Sequence, residues 1–220
     1  MERVLIIGAS GGIGSALAAG FEARGAAVER LSRSVDGFDV TDAGSVATHL
    51  LGRGPYDRVV VATGALEIAG AVPEKTIRGL DPEAMADQFA LNAIGPALVL
   101  SYAHDLLPRD RTAVMAVLSA RVGSIGDNRI GGWISYRSAK AAVNQIVHTS
   151  AIELARSHAQ AAVVALHPGT VATPFTEKYL GRHPAVAPED AARNLIGVMD
   201  GLTPAQTGGF FDYSGAEVPW

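Results

Sequence analysis

The first strand-sized stretch of the chain ends in closely spaced glycines: Val4-Leu5-Ile6-Ile7 runs into Gly8-Ala9-Ser10-Gly11-Gly12-Ile13-Gly14. Four consecutive apolar residues suit a strand buried on both faces of a parallel sheet, and the residues from Ile13 onward carry helical spacing. A strand that turns through glycines into a helix leaves few folds open, because the helix must cross back over the sheet, right-handed, to deliver the next parallel strand. Glycines at positions 8, 12 and 14 let the backbone turn sharply and approach an anion with no Cβ in the way. The helix start then offers free N–H groups and a positive dipole end. The loop, with Ser10, Gly11 and Ile13 among its residues, is therefore a candidate cradle for a dinucleotide pyrophosphate. The plainer alternative is an ordinary glycine-rich turn; the strand before it and the helix after it argue against that.

The rest of the chain keeps the same rhythm. Val4–Ile7, Ala27–Leu31, Arg58–Ala62, Thr112–Leu118, Ala161–Leu166 and Gly209–Phe211 read as strands. Between them, Ile13–Arg24, Asp42–Leu51, Pro82–Leu107, Ser135–Ser157 and Pro188–Asp200 read as helices. Asp42 and Asp81 are placed as N-caps, and Pro82 and Pro188 suit a first helical turn. The alternation predicts an α/β fold: a single-domain, Rossmann-type, doubly wound parallel sheet over residues 1–220, with about seven strands and helices on both faces. One stretch breaks the pattern. Only six residues separate Leu31 from Phe38-Asp39-Val40, too few for a parallel crossover, so a helix is trimmed away there or Phe38–Val40 is barely a strand.

Composition narrows the function classes. Apolar residues make up 48% of the 220, which excludes disordered and fibrous chains. Net charge is −4 with no basic block, so neither nucleic acid nor a membrane surface is expected as a partner. The absence of cysteine removes disulfides, thiol catalysis and cysteine–zinc sites together. His104, His148, His158, His167 and His183 show no metal-ligand spacing, so no metal is expected and each reads as structural. No apolar run reaches membrane-spanning length and the start lacks a signal peptide's basic flank, which points to a cytoplasmic protein.

Two further signals carry chemistry. A carboxylate at the end of the second strand would bind a ribose 2′-hydroxyl, whereas a cation suits a 2′-phosphate. The chain has Leu31-Ser32-Arg33-Ser34 there, with Glu29 two residues too early, so Arg33 favours NADP(H) over NAD(H). Farther on, Ser135-Tyr136-Arg137-Ser138-Ala139-Lys140 sets a phenol and an ammonium four residues apart, on one face of a helix. A tyrosine with an ordinary pKa near 10 is a sluggish proton donor, and a neighbouring cation would favour its ionised form. A surface helix pair explains such a spacing in isolation. Behind a dinucleotide loop it spells carbonyl reduction or alcohol oxidation, with Tyr136 and Lys140 catalytic.

On these residues the chain resembles the short-chain dehydrogenase/reductase family over essentially its whole length. Val122-Gly123-Ser124-Ile125-Gly126-Asp127-Asn128, Gly131-Gly132-Trp133 and the ending Gly209-Phe210-Phe211-Asp212-Tyr213 to Pro219-Trp220 narrow the likeness to small C-factor-like and sniffer-like carbonyl reductases. The resemblance implies that Gly8–Gly14 binds the pyrophosphate and that Asp39 and Val40 contact adenine. It implies that Asn92 kinks a helix and anchors a proton-relay water, Tyr136 protonates a carbonyl oxygen, and Lys140 bonds the nicotinamide ribose. Pro168-Gly169-Thr170-Val171-Ala172-Thr173 matches the loop that holds the nicotinamide carboxamide, bringing in Pro168, Gly169, Val171 and Thr173.

Two departures stand out. The family's Asn-Asn-Ala-Gly is Val61-Ala62-Thr63-Gly64 here, with only Gly64 kept. The family's Ser-x-x-Gly, counted back from Gly123, places Ala120 at the serine, with Ser119 one residue early and Ser124 just past the glycine. Neighbouring strand residues point to opposite faces. The catalytic hydroxyl is therefore Ser119 if the strand end twists, Ser124, or none. The segment from Ser124 to Ser135, with Phe175, Tyr179 and Leu180, is an expected apolar lid over a small carbonyl compound, although Trp133 and Phe175 would equally suit a subunit boundary. Faces of small and apolar residues on Pro82–Leu107 and Ser135–Ser157 point to a homodimer or homotetramer. Two function classes follow: an NADPH-dependent reductase of a small or medium apolar ketone or aldehyde, or a dinucleotide-binding sensor with little turnover.

Overall fold

The computed structural model describes residues 1–173, 176 and 185–220; Phe175, Tyr179 and Leu180 of the expected lid, and His183, lie outside them. In chain order the elements are β1 (Arg3–Ile7), α1 (Gly12–Ala23), β2 (Ala27–Leu31), α2 (Arg33–Asp36), α3 (Ala43–Leu50), β3 (Arg58–Val61) and α4 (Pro82–Phe89). There follow α5 (Gly95–Leu100), α6 (Ala103–Leu106), β4 (Ala113–Leu118), α7 (Ile134–Leu154), β5 (Ala161–His167), α8 (Pro188–Gly201) and β6 (Phe210–Asp212).

The strands form one parallel sheet in the order β2-β1-β3-β4-β5-β6. The chain winds outward in both directions from β1, so the sheet reverses between β1 and β3 and opens a crevice at their carboxyl ends. Residues of alternate parity pack on opposite faces. Leu5, Ile7, Val59, Val61, Met115, Val117, Val163 and Ala165 meet α7 residues Val143, Val147 and Ala151. Val4, Ile6, Val60, Ala116, Val164 and Leu166 meet Leu17 and Phe21 of α1 and Leu195 and Ile196 of α8. Both sheet faces are thereby covered, which is why the strands read as continuous apolar runs rather than alternating ones.

The expected caps form. Asp42 accepts from Gly44 N and Ser45 N at the start of α3, and Asp81 accepts from Glu83 N and Ala84 N at the start of α4.

One expectation is corrected, and the break after Leu31 is borne out. The described residues contain six strands, not about seven. The four-residue α2 ends on Gly37 in the left-handed region, and Phe38–Val40 pairs with no strand. Local bonds take the place of the ladder: Asp39 Oδ1 accepts from Thr41 N and Oγ1 at 2.9 and 2.7 Å, and Asp39 N donates to Ser45 Oγ at 2.9 Å. Phe38 and Val40 still plug the core.

The expected helix over Pro82–Leu107 is likewise broken. After α4 the chain widens into a π turn over Ala90–Ile94, where Gly95 N bonds back to Ala90 O, five residues away. Pro96 has no N–H to give the carbonyl of Asn92, four residues back, so an unbroken α-helix is impossible here. Gly95 makes the break fit, because a Cβ on it would stand 2.9 Å from Val40 Cγ1 and 3.2 Å from Val40 O.

Gly95→Ala is therefore expected to destabilise the protein by about 1–3 kcal/mol through overpacking. Urea denaturation measures it, and an unchanged midpoint would show that the Val40 loop yields without cost.

Candidate active site

The crevice at the carboxyl ends of β1 and β3–β5 has a volume of about 440 Å³. Its walls come from four stretches: Ser10–Gly14, Ala62–Gly64, Leu118–Ala120, and the chain from His167 to Thr173 with Thr176. Tyr136 and Lys140 of α7 complete it. Residues that are far apart in sequence meet here because every strand of a parallel sheet ends on the same side.

The glycine loop fits an anion. Gly8 has φ +89, and a Cβ there would stand 2.8 Å from the Ala62 backbone. A Cβ on Gly14 would overlap the Gly8 carbonyl oxygen, and one on Gly12 would stand 2.7 Å from Thr173 Cγ2. Unlike α3 and α4, α1 has no side-chain cap, so its first-turn N–H groups are left for a ligand. Thr63 Oγ1, in the same wall, is buried without a partner. A phosphorylated dinucleotide with hydroxyl and amide groups suits this combination of bare N–H groups and an unpaired hydroxyl. The described residues that would hold it are Ser10, Gly11, Gly12, Ile13, Gly14, Gly64, Pro168, Gly169, Val171 and Thr173, all on the crevice wall.

Gly8, Arg33, Asp39, Val40 and Asn92 stand outside that lining. Gly8 shapes the loop from behind. The Leu31 carbonyl accepts from Gly8 N and Ala9 N at 2.8 and 3.1 Å, which brings the end of β2 against the loop. Arg33 follows two residues later, exposed, with no side-chain hydrogen bond or ion pair among the described residues. Glu29 is committed elsewhere, to Arg3 at 3.2 Å, Arg53 at 3.0 Å and the Tyr56 hydroxyl at 2.7 Å. Asp36 caps Ser32, accepting from its N–H at 2.8 Å and its hydroxyl at 3.2 Å.

Tyr136 and Lys140 are both almost fully buried. Lys140 Nζ donates to the Leu118 carbonyl at 3.0 Å and stands 5.8 Å from the centre of the Tyr136 ring. Gly123 lets the strand end press onto α7, since a Cβ there would stand 2.8 Å from the Lys140 backbone carbon. At the other end of the pair, Glu74 fixes the start of α7: its carbonyl accepts from Trp133 N at 2.6 Å and its carboxylate accepts from the Ser135 hydroxyl. Trp133, in a left-handed conformation, sets its ring edge-on to Tyr136 with centroids 6.4 Å apart.

Burial governs the protonation of this pair. It pushes the Tyr136 phenol up and the Lys140 amine down to about 8. Desolvation disfavours both charged forms and dominates both shifts.

Asn92 is completely buried in the π turn. Its Nδ2 donates to Ala65 O at 2.9 Å and Gln88 Oε1 at 2.7 Å, and its Oδ1 accepts from Ala65 N at 3.2 Å. A Cβ on Gly64 would stand 2.7 Å from Asn92 Oδ1 and 3.4 Å from Lys140 Nζ, so both groups close on this glycine. Gln88, one helical turn before Asn92, was not singled out in the sequence; that spacing was its signal.

The structure also separates the candidate hydroxyls. Ser119 continues the face of Val117 toward α7, and its Oγ donates to Asn144 Oδ1 at 2.6 Å. Ser124 Oγ donates to the Pro219 carbonyl and accepts from Asp127 N. Both hydroxyls are spent on structure, and Ala120 presents only a methyl group to the crevice. Ser119 lines the crevice beside Tyr136 and Lys140, with its hydroxyl bonded to Asn144 of α7. His167, which has no metal-ligand spacing in the sequence, also lines the crevice.

Comparisons with known proteins agree with this geometry. A family model described as enoyl-(acyl carrier protein) reductase matches residues 29–205, well over half of the chain. The 1-hydroxy-2-glutathionyl-2-methyl-3-butene dehydrogenase of Rhodococcus sp. (strain AD45) is 31% identical over 232 aligned positions, covering 100% of both proteins. C-signal of Myxococcus xanthus is 35% identical over 168 positions, covering 76% of this chain and 94% of its own. Among solved structures, a short-chain dehydrogenase/reductase of Burkholderia multivorans with bound NADP superposes with a TM-score of 0.77 at 26% identity, covering 100% of this chain and 99% of that one. The carbonyl reductase Sniffer of D. melanogaster shares the fold, with a TM-score of 0.80 at 17% identity over 100% of both chains.

Gly14→Ala is expected to weaken NADPH binding by a factor on the order of 10² or more, since the loop cannot close around a Cβ. Fluorescence titration of NADPH, with Tm as the check on folding, measures this; wild-type affinity in a folded variant would remove the loop from the site.

Proposed function

This chain belongs to the short-chain dehydrogenase/reductase family, and we propose that within it the chain is an NADPH-dependent reductase of small or medium apolar ketones and aldehydes. The observation that carries this reading is the convergence of Tyr136 and Lys140 with the glycine loop in one crevice. Reduced nicotinamide, when bound, supplies the hydride to the carbonyl carbon. Tyr136, whose phenol burial keeps protonated, gives its proton to the carbonyl oxygen. Lys140, fixed by the Leu118 carbonyl, holds its charge beside the ring and stabilises the phenolate that forms. Asn92, tied to Ala65 and Gln88, holds the π turn against Gly64 of the crevice wall.

Several features support the finer points. Exposed Arg33 just past β2 and the engagement of Glu29 elsewhere favour the 2′-phosphate of NADP(H), and the Burkholderia multivorans structure has NADP bound. The Rhodococcus relative is named as a dehydrogenase of a hydroxyl-bearing compound, which supports hydride chemistry at a carbon–oxygen centre. The reading carries with it a cytoplasmic location; among the described residues no helix is long and apolar enough to cross a membrane. It also carries a homodimer or homotetramer, to which the exposed Ile94 and Ile152 near the outer helix faces lend support. A dinucleotide sensor with little turnover stays as the second reading, favoured by Ala120 in place of a hydroxyl.

Oxidation of NADPH by cyclohexanone, acetophenone and benzaldehyde tests the proposal. Tyr136→Phe is expected to lose on the order of 10²–10⁴ in kcat while still binding NADPH. No turnover in either protein with NADPH bound would leave the sensor reading standing, and equal turnover in both would remove Tyr136 as the proton donor. A second outcome concerns pH. Lys140 loses its proton as pH rises through about 8, so kcat/KM for reduction is expected to fall above that value. A flat profile to high pH would mean that the lysine charge plays no part.

A further inference from the structure

The family-type reduction proposed above gives the carbonyl oxygen two hydrogen-bond donors in most chemical schemes of this kind: the proton-giving phenol and a second group that polarises the bond. In this chain the position for a hydroxyl is Ala120, and the hydroxyls of Ser119 and Ser124 are bonded to Asn144 and Pro219. One other polar ring lines the same wall. His167 ends β5, and Ser119 N donates to the carbonyl of Leu166, so the stretches Ser119-Ala120 and His167-Pro168 leave the sheet side by side.

The two nitrogens of the His167 ring differ in surroundings. Nδ1 is buried and has no hydrogen-bond partner. Nε2 has none among the described residues either, yet it is not enclosed, which leaves it as the ring nitrogen open to the crevice. A buried N–H without an acceptor costs about 1–3 kcal/mol, so the ring proton belongs on Nε2, where a ligand or water can receive it. The ring is held from behind by the edge of Tyr213, with centroids 6.5 Å apart. Asp212 sits beside His167 across the β5–β6 ladder, but its Oδ1 accepts from Ser214 N, Ser214 Oγ and Ala216 N. Arg121 approaches the other oxygen of Asp212 at 3.8 Å. Burial holds the imidazole down to about 4, so it is neutral, and a single-proton donor, throughout the working range.

We propose that His167 supplies, through its Nε2–H, the second hydrogen bond to the substrate carbonyl oxygen that Ala120 cannot make. This rests on the reductase reading above. No covalent step is involved: the ring donates a hydrogen bond as negative charge grows on the oxygen, and keeps its proton while Tyr136 gives up its own.

The test is a small mutational cycle, assayed with NADPH and whichever of the three carbonyl compounds reacts fastest. His167→Ala is expected to lower kcat by a factor on the order of 10² while leaving NADPH affinity unchanged. His167→Gln, which keeps an N–H near the place of Nε2, should retain most of the rate. Adding Ala120→Ser to His167→Ala should recover at least tenfold, because the restored hydroxyl takes over the bond. A wild-type kcat in His167→Ala overturns the proposal and leaves the reductase standing. So does a folded double variant that stays as slow as His167→Ala; if Tm shows that the double variant does not fold, an equal loss in His167→Gln and His167→Ala overturns it instead. Wild-type protein that reduces none of the compounds, or does so as well with Tyr136→Phe, overturns the reductase reading and this proposal with it.

Discussion

The hydrogen bond from Lys140 Nζ to the Leu118 carbonyl pins helix α7 to the end of strand β4, and the geometry of the crevice follows from it. Burying an amine is costly unless its N–H groups find acceptors. Here one acceptor is a backbone carbonyl at a strand terminus, where the ladder no longer needs it. Gly123 completes the contact from the other side, since any side chain there would collide with Lys140. With α7 so placed, Tyr136 one turn earlier lines the crevice, its ring edge-on to Trp133.

The second constraint is the close approach of β1 and β3. The Gly8 loop touches the Ala62 backbone, and Gly64 touches Asn92, so three segments share a space that admits no Cβ at either glycine. The departures from the familiar Asn-Asn-Ala-Gly leave that contact intact, because the surviving residue is the glycine on which the contact depends. What changes is polarity: Thr63 brings a hydroxyl that has no partner among the described residues.

Much of this was legible in the residues. Buried parallel strands announce themselves as apolar runs, and β1–β6 all fall within about two residues of their expected bounds. The glycine loop, Tyr136, Lys140, Gly64 and the Pro168–Thr173 stretch meet in one crevice because a parallel sheet brings its strand ends together. The broken helix was legible in part: Gly95-Pro96 forbids a continuous ladder, yet the apolar periodicity on both sides of it hides the break. The Phe38–Val40 segment kept strand-like burial and lost strand pairing, a difference set by Asp39 and Ser45, whose side chains bond locally. Ser119 hinged on one residue of parity, and its hydroxyl bonds Asn144 of α7 while its residue lines the crevice. His167 carried no periodic or motif signal, being a histidine closing an apolar strand, and only the unpaired Nδ1 and the crevice around it single it out.

The central claim is that one bound carbonyl compound meets the phenol of Tyr136 while a nucleotide occupies the glycine loop. A crystal structure of the protein with NADPH and the best-reduced ketone addresses this directly. The account predicts the pyrophosphate on the first turn of α1 and the Tyr136 hydroxyl within about 2.6–3.2 Å of the carbonyl oxygen. A nucleotide bound elsewhere, or a ketone oxygen out of reach of Tyr136, would contradict it.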